Sequence, residues 1–275
     1  MTALPAPAAT AVPAPAPTGR VAPLSPTLLR LELLRLLRDP VTWIFSVGLP
    51  GFLYVMLGTS TEYADVSAGH GNLAMFVMIA MAAYGAVTAT VGVGGRAALE
   101  RTQGWGRQLG LTPLADLTWV GTKAATGVVL ASLPALLVYG LGLALGAEGT
   151  VGAWLGSLAV VLVGASLFSL LGLAIGLGFG TDQAVAATGG VVVVLGFLGN
   201  VFYPLSGVLL DIARFSPMYG YVGLARYPLT DGWTSMGAGP AFHDSLGLLI
   251  ANVSVWTVLF GLVALLLVRR ARSRQ

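Results

Sequence analysis

Six long apolar runs, none containing Asp, Glu, Lys, Arg or His, alternate along this chain with shorter segments that hold its charge. They cover roughly residues 41–58, 72–93, 124–146, 151–179, 184–203 and 246–268. A helix needs about 20 apolar residues to cross ~30 Å of hydrocarbon, and each run approaches that length. The fourth is longer and is expected to tilt or break at its glycines. The pattern predicts an all-α polytopic membrane protein with six transmembrane helices.

Two N-terminal segments have patterns of their own. Residues 25–39 read SPTLLRLELLRLLRD. Ser25 is placed to cap a helix, Pro26 suits its first position, and Asp39-Pro40 ends it. At 100° per residue, Leu29, Leu33, Leu36 and Leu37 share one face, while Arg30, Arg35, Arg38 and Asp39 spread over the other. Too charged to span, this element fits an N-terminal helix lying in the membrane interface. Residues 2–19 are Ala/Pro-rich and uncharged. Proline at this density blocks helix and sheet, which predicts a flexible, partly polyproline II tail. The tail lacks the basic and continuous apolar regions of a signal peptide. The chain therefore divides into a disordered cytoplasmic tail, residues 1–24, and a membrane domain, residues 25–275. Connections 94–123 and 204–245 exceed plain turns. The second is itself fairly apolar, and its Pro and Gly spacing predicts short broken or re-entrant helices packed against protein.

Charge sets the orientation. With a cytoplasmic N-terminus, all but two of the 14 Lys and Arg lie inside; Arg214 and Arg226 alone fall in outer segments. The opposite topology would invert that bias, so the positive-inside rule places both termini in the cytoplasm. Lys123 is the only lysine. This preference for Arg fits a GC-rich genome and points to a bacterial plasma membrane.

Composition narrows the chemistry. Only 9% of residues are charged and mean hydropathy is +0.85, whereas a soluble domain carries about 25% charge. The 38 glycines suit close helix packing in lipid, and GxxxG spacings such as Gly172/Gly176 fit such generic packing better than a dedicated dimer face. There is no Cys, so no disulfide, thiolate metal site or Cys nucleophile. The only lysine sits in Gly121-Thr122-Lys123-Ala124, which is not a phosphate-binding loop. His70 and His243 are the only histidines; they lie in separate outer loops, and a metal site built on them would have to recruit loop carboxylates. No run contains the His an intramembrane serine protease needs. Ion-coupled transporters keep ionisable groups at mid-membrane, and the runs have none, although carbonyls and hydroxyls could still coordinate sodium. No catalytic, cofactor or metal site is expected in this chain.

The inner loop 99–114 reads LERTQGWGRQLGLTPL. A short helix over residues 97–101 would set Arg96 and Glu100 one turn apart; Gly104 and Gly106 then loosen the backbone. This loop resembles that of ABC-2-type transporter permeases through Glu100, Arg101, Gly104, Leu109, Leu111, Thr112, Pro113 and Leu114. Arg38-Asp39-Pro40 resembles the end of the family's interfacial elbow, which also takes in Arg35. Pro204, Ser206-Gly207, Ser216-Pro217, Tyr219 and Leu224-Ala225-Arg226 resemble its extracellular segment before the last crossing. The likeness covers residues 27–270 in order. Trp105-Gly106 departs from the family's usual helix formers at that point, which leaves the bounds of the coupling helix open.

The resemblance implies a cytoplasmic coupling helix within residues 100–114 that docks into a separate ABC ATPase subunit, with Glu100, Arg101, Gly104, Arg107, Leu111, Thr112 and Pro113 as the contact set. ATP and Mg²⁺ would be held by that partner. The implied assembly pairs two permeases, identical or homologous, with two ATPases in membrane lipid, and involves no nucleic acid. The text is most similar to actinobacterial drug-efflux permeases, implying amphipathic or hydrophobic cargo such as a drug, antibiotic or lipid. Trp43, Phe45, Phe52, Tyr54, Phe197, Phe202 and Tyr203 could line its route, or form an ordinary interface belt or core. Two rival functions are a membrane sensor without transport and an ion-coupled secondary transporter.

Overall fold

The structure, a computed structural model, describes residues 40–59, 64–100, 116–234 and 242–272, together with Arg30, Leu34 and Arg38. The first apolar run forms helix α1 (Pro40–Trp43), a π-helical turn (Ile44–Gly48), helix α2 (Leu49–Tyr54) and a second π-helical turn (Val55–Thr59). The first widening has a cause at Pro50, which has no N–H to give the carbonyl four residues back. The ladder shifts accordingly, and the Leu49 N–H bonds to the Ile44 carbonyl, five residues back. Four helices follow: α3 (Leu73–Glu100), α4 (Asp116–Ala144), α5 (Val151–Phe179) and α6 (Asp182–Leu198). The long connection 204–245 folds as short helices α7 (Gly207–Ala213) and α8 (Pro217–Thr230), as its Pro/Gly spacing predicts. It then continues into a small antiparallel pair, β1 (Trp233–Thr234) and β2 (Phe242–His243), which the apolar pattern gave no sign of. Helix α9 (Leu246–Arg272) closes the fold.

Among the described residues, four helices are long and apolar enough to cross a membrane, over Leu73–Arg96, Ala124–Ala144, Val151–Phe179 and Leu246–Arg270. The first and fifth expected crossings are shorter apolar helices, Ile44–Thr59 and Val185–Leu198. Helix α3 is the axis of the bundle: 89% of its apolar window is buried, against 11% for α9. It packs most extensively on α5 and α4. Close approach of α3 and α5 depends on Gly94 and Gly172. A side chain at Gly94 would strike the Ser169 carbonyl, and one at Gly172 the Val91 carbonyl. The glycine spacing at 172 thus serves packing within the chain.

The helices run antiparallel between two ends. At one end lie the C-terminal arginines Arg269 and Arg270 of α9 and Arg96 of α3, with Val185 of α6 beside Gly95. At the other, the loops after α2, α4, α6 and α8 meet: Asn72 N–H bonds to the Glu148 carbonyl and His70 N–H to the Leu229 carbonyl. Helix α6 with its following turn therefore runs from Gly95 to Phe76 of α3, since Asn200 and Phe76 share one partner, Arg226. Outward faces carry large apolar side chains such as Val255, Leu262 and Leu266 on α9, a surface compatible with a membrane location.

Candidate functional site

The expected ATPase contact set falls between α3 and α4. Glu100 is the last residue of α3, so residues 97–100 form the final turn of that helix and not a separate one. Arg101, Gly104, Arg107, Leu111, Thr112 and Pro113 lie outside the described residues, as do Arg35 and Asp39 of the elbow. Arg30, Leu34 and Arg38, four residues apart, are helical and exposed, and Pro40 is exposed at the start of α1.

The described polar chemistry gathers at the opposite, loop-bearing end. Asn72 starts α3: its Oδ1 accepts from the Met75 N–H at 3.0 Å and the Glu148 N–H at 3.0 Å, while its Nδ2 donates to the Gly146 carbonyl at 2.7 Å. One side chain thus caps a helix and clamps the α4–α5 turn. Thr150 caps α5 by accepting from the Ala153 N–H at 3.2 Å. His70 Nε2 meets Asp231 Oδ2 at 2.8 Å on the surface, tying the loop before α3 to the end of α8. His243 instead packs against the Trp233 ring, and among the described residues no group of three His, Asp or Glu is arranged to hold a metal ion.

Ser216 and Pro217 start α8 as a cap and first residue: the Ser216 hydroxyl accepts from the Met218 N–H at 3.3 Å. This aims Tyr219 at Asp244, whose Oδ2 accepts from the Tyr219 hydroxyl at 2.5 Å. Arg214 reaches Asp244 Oδ1 at 3.2 Å and the exposed Asp211 at 3.5 Å. Buried charges need such pairing, and Asp244 is only 7% exposed. Burial, then the Asp244 carboxylate, push the Tyr219 hydroxyl well above the ordinary tyrosine range, so it remains a donor. The backbone joins in: Asn252 Nδ2 of α9 donates to the Arg214 carbonyl at 2.8 Å, and Trp256 Nε1 to the Phe215 carbonyl at 2.8 Å. The α7–α8 corner is thereby strapped to α9.

Arg226 is the residue whose environment differs most from expectation. Placed by sequence in an outer segment, it is 5% exposed. Its guanidinium lies 3.7 Å from the Phe76 ring centroid. Nε donates to the Phe76 carbonyl at 3.4 Å and NH1 to the Asn200 carbonyl at 2.9 Å. Burial pulls it down to about 9, which leaves it cationic at neutral pH. Asn200 holds a left-handed conformation (φ 56°), and its Oδ1 accepts from the Leu205 N–H at 3.1 Å. A bundle expected to contain no charge thus takes one in, from α8 folded back against α3. Pro204 is a half-buried residue of the turn after α6.

The aromatics considered for a route divide. Tyr54 is fully buried, and Phe202 packs on Tyr84 and Phe197 at 4.8 and 5.1 Å between ring centroids. Phe45, Phe52, Phe197 and Tyr203 face outward. Tyr54 and Phe202 are core residues of this chain.

Asn72, Asn200, Arg214 and Asp244 were not singled out by sequence reasoning. The available signal for Asn72, Asn200 and Asp244 was position, each a polar residue at or near the boundary of an apolar run, whereas Arg214, well inside the outer connection, carried only its charge. No protein-family model matches this chain, and no curated protein matches its sequence.

Proposed function

We propose that this chain is the permease subunit of an ATP-driven exporter of ABC-2 type, crossing the plasma membrane of a bacterium six times and moving an amphipathic or hydrophobic compound outward. The observation that carries the reading is mechanical. Helix α3 continues past its apolar window, which ends at Arg96, to Glu100. Helix α4 starts at Asp116, two turns before its own window begins at Ala124. The chain between Glu100 and Asp116 thus joins two helices that pack on each other. A push at that segment would be delivered to α3, the most deeply buried helix of the bundle. The loop motif Glu100-Arg101, Gly104, Arg107, Leu111 and Thr112-Pro113 is the element an ATPase subunit would grip, and that subunit would bind ATP and Mg²⁺.

Six crossings are supported by the path of α6, whose neighbours on α3 run from Gly95 to Phe76, about 28 Å at 1.5 Å per residue. The short α1–α2 segment runs in the same direction over about 12 Å of α3, with the Ser46 carbonyl against Gly85 and Gly58 against Val77. A second permease, identical or homologous, would complete the assembly.

The test is co-purification of the tagged chain from its native membrane. An ATP-binding cassette subunit should accompany it, and Glu100→Ala with Arg101→Ala should weaken that association or abolish cargo-stimulated ATP hydrolysis. Transport by the reconstituted chain alone down an ion gradient would overturn the proposal in favour of a secondary transporter. A chain that binds ligand with no ATPase dependence would be a sensor.

A further inference from the structure

Two neighbours fix the depth of the α7–α8 corner. Trp256, which donates to the Phe215 carbonyl, stands about 15 Å along α9 from Leu246, where the apolar window of that helix starts. Gly164, against the Tyr221 ring, stands about 20 Å along α5 from Val151, the start of its window. In a hydrocarbon layer of ~30 Å, the corner therefore dips to about the middle.

The side chains of α7 do not suit lipid at that depth. Val208, Asp211 and Ile212 share one face, which continues to Phe215 just beyond the helix. All four are exposed, Phe215 at 78% and the Asp211 side chain at 71%. Asp211 is one helical turn before Phe215, about 6 Å along the axis. Acyl chains would accept the three apolar groups but not a carboxylate. Nor is Asp211 neutralised. It shares Arg214 with Asp244, at 3.5 Å against 3.2 Å, so the three groups together carry one excess negative charge. The other basic residue of the outer segments is Arg226, which is engaged by Phe76 and Asn200.

We infer that this face lines the outer part of the cargo route, and that Asp211 selects an amphipathic cation as the cargo. The apolar body of such a molecule fits against Val208, Ile212 and Phe215, and its positive charge lies beside Asp211. Carboxylate and apolar groups stand together where lipid cannot cover both, and the excess charge gives the sign of the partner. The Phe215 ring adds a surface on which a cation can rest. The inference rests on the transport reading and narrows its cargo from amphipathic or hydrophobic compounds in general to cationic ones.

Equilibrium binding of tetraphenylphosphonium to the purified full chain in lipid nanodiscs tests it. Asp211→Asn should weaken binding about tenfold, the size of one interaction with a charged group, whereas Asp211→Glu should retain it. Tetraphenylborate, of the same shape and opposite charge, should not compete. The chain has no Cys, so Ile212→Cys reports the surroundings of the face. It should react with a hydrophilic methanethiosulfonate, and tetraphenylphosphonium should slow that reaction. An affinity unchanged in Asp211→Asn, competition by tetraphenylborate, or an unreactive Ile212→Cys would each overturn the inference, the last by giving the face to lipid or to a second copy of the chain. The two readings fail separately. Asp211-dependent binding by a chain that no ATPase accompanies would sink the exporter and keep the cation site; a co-purifying ATPase with Asp211-independent binding would do the reverse.

Discussion

Asp244 is held by two side chains of unequal kind, and that inequality sets what each substitution should do. Tyr219→Phe removes one neutral donor and leaves the Arg214 ion pair, so a loss of about 1 kcal/mol is expected. Asp244→Asn strips the counter-charge from Arg214, whose side chain is one-third exposed and so recovers part of its hydration; about 1–3 kcal/mol is expected. Thermal unfolding of both variants and of the double variant measures this, and the double should lose less than the sum because the groups share one oxygen cluster. At this scale the sequence was only partly legible. Ser216-Pro217 announces a helix start because capping is local chemistry. Arg226 reads only as a cation of an outer segment, and its burial is not legible, because its partners are backbone carbonyls of Phe76 and Asn200, groups that every residue has and no pattern marks.

Between α3 and α5 the limiting dimension is backbone to backbone. Gly94→Val would drive a branched side chain into the Ser169 carbonyl and the Leu173 N–H, and the helices would have to separate along their tightest contact. A loss of about 1–3 kcal/mol or more is expected, read as a fall in unfolding midpoint in detergent. Gly140→Ala is the control: its Cβ meets nothing within 4 Å, so it should be neutral or stabilise by up to about 1 kcal/mol. The contrast also shows why elements were legible and their contacts were not. Apolar runs of about 20 residues identify α3, α4, α5 and α9 directly. Yet Gly94 and Gly140 look alike in sequence, and only the path of the neighbouring helix tells them apart. The first run was legible as apolar and helical but not as π-helical, since Pro50 specifies that a bond is lost and not where the ladder shifts.

The fold as a whole constrains how the chain threads a membrane. If α6 were a surface helix, α5 would deliver the chain to the arginine-bearing end and α7–α8 would have to fold there. Instead Asp231 and the Leu229 carbonyl bond to His70, beside the start of α3, at the end reached by α4 and left by α5. Residues 185 and 200 therefore lie toward opposite ends of α3, and the proposed six-crossing path has α6 cross the same bilayer as α3. The absence of Cys from the sequence makes this testable with single introduced thiols. Gln183→Cys and Ser206→Cys, both at exposed positions, should label with a membrane-impermeant maleimide from opposite faces of sealed vesicles, Ser206→Cys from outside the cell. Glu148→Cys, in the turn between α4 and α5, should follow Ser206→Cys. If Gln183→Cys and Ser206→Cys label from the same face, α6 does not cross, and the chain has an even number of crossings only if α1–α2 also fails to span. That outcome would detach the loops at 64–72 and 227–234 from each other, contradicting the His70–Asp231 contact. The labelling thus tests the transmembrane path and the packing of the loop-bearing end together.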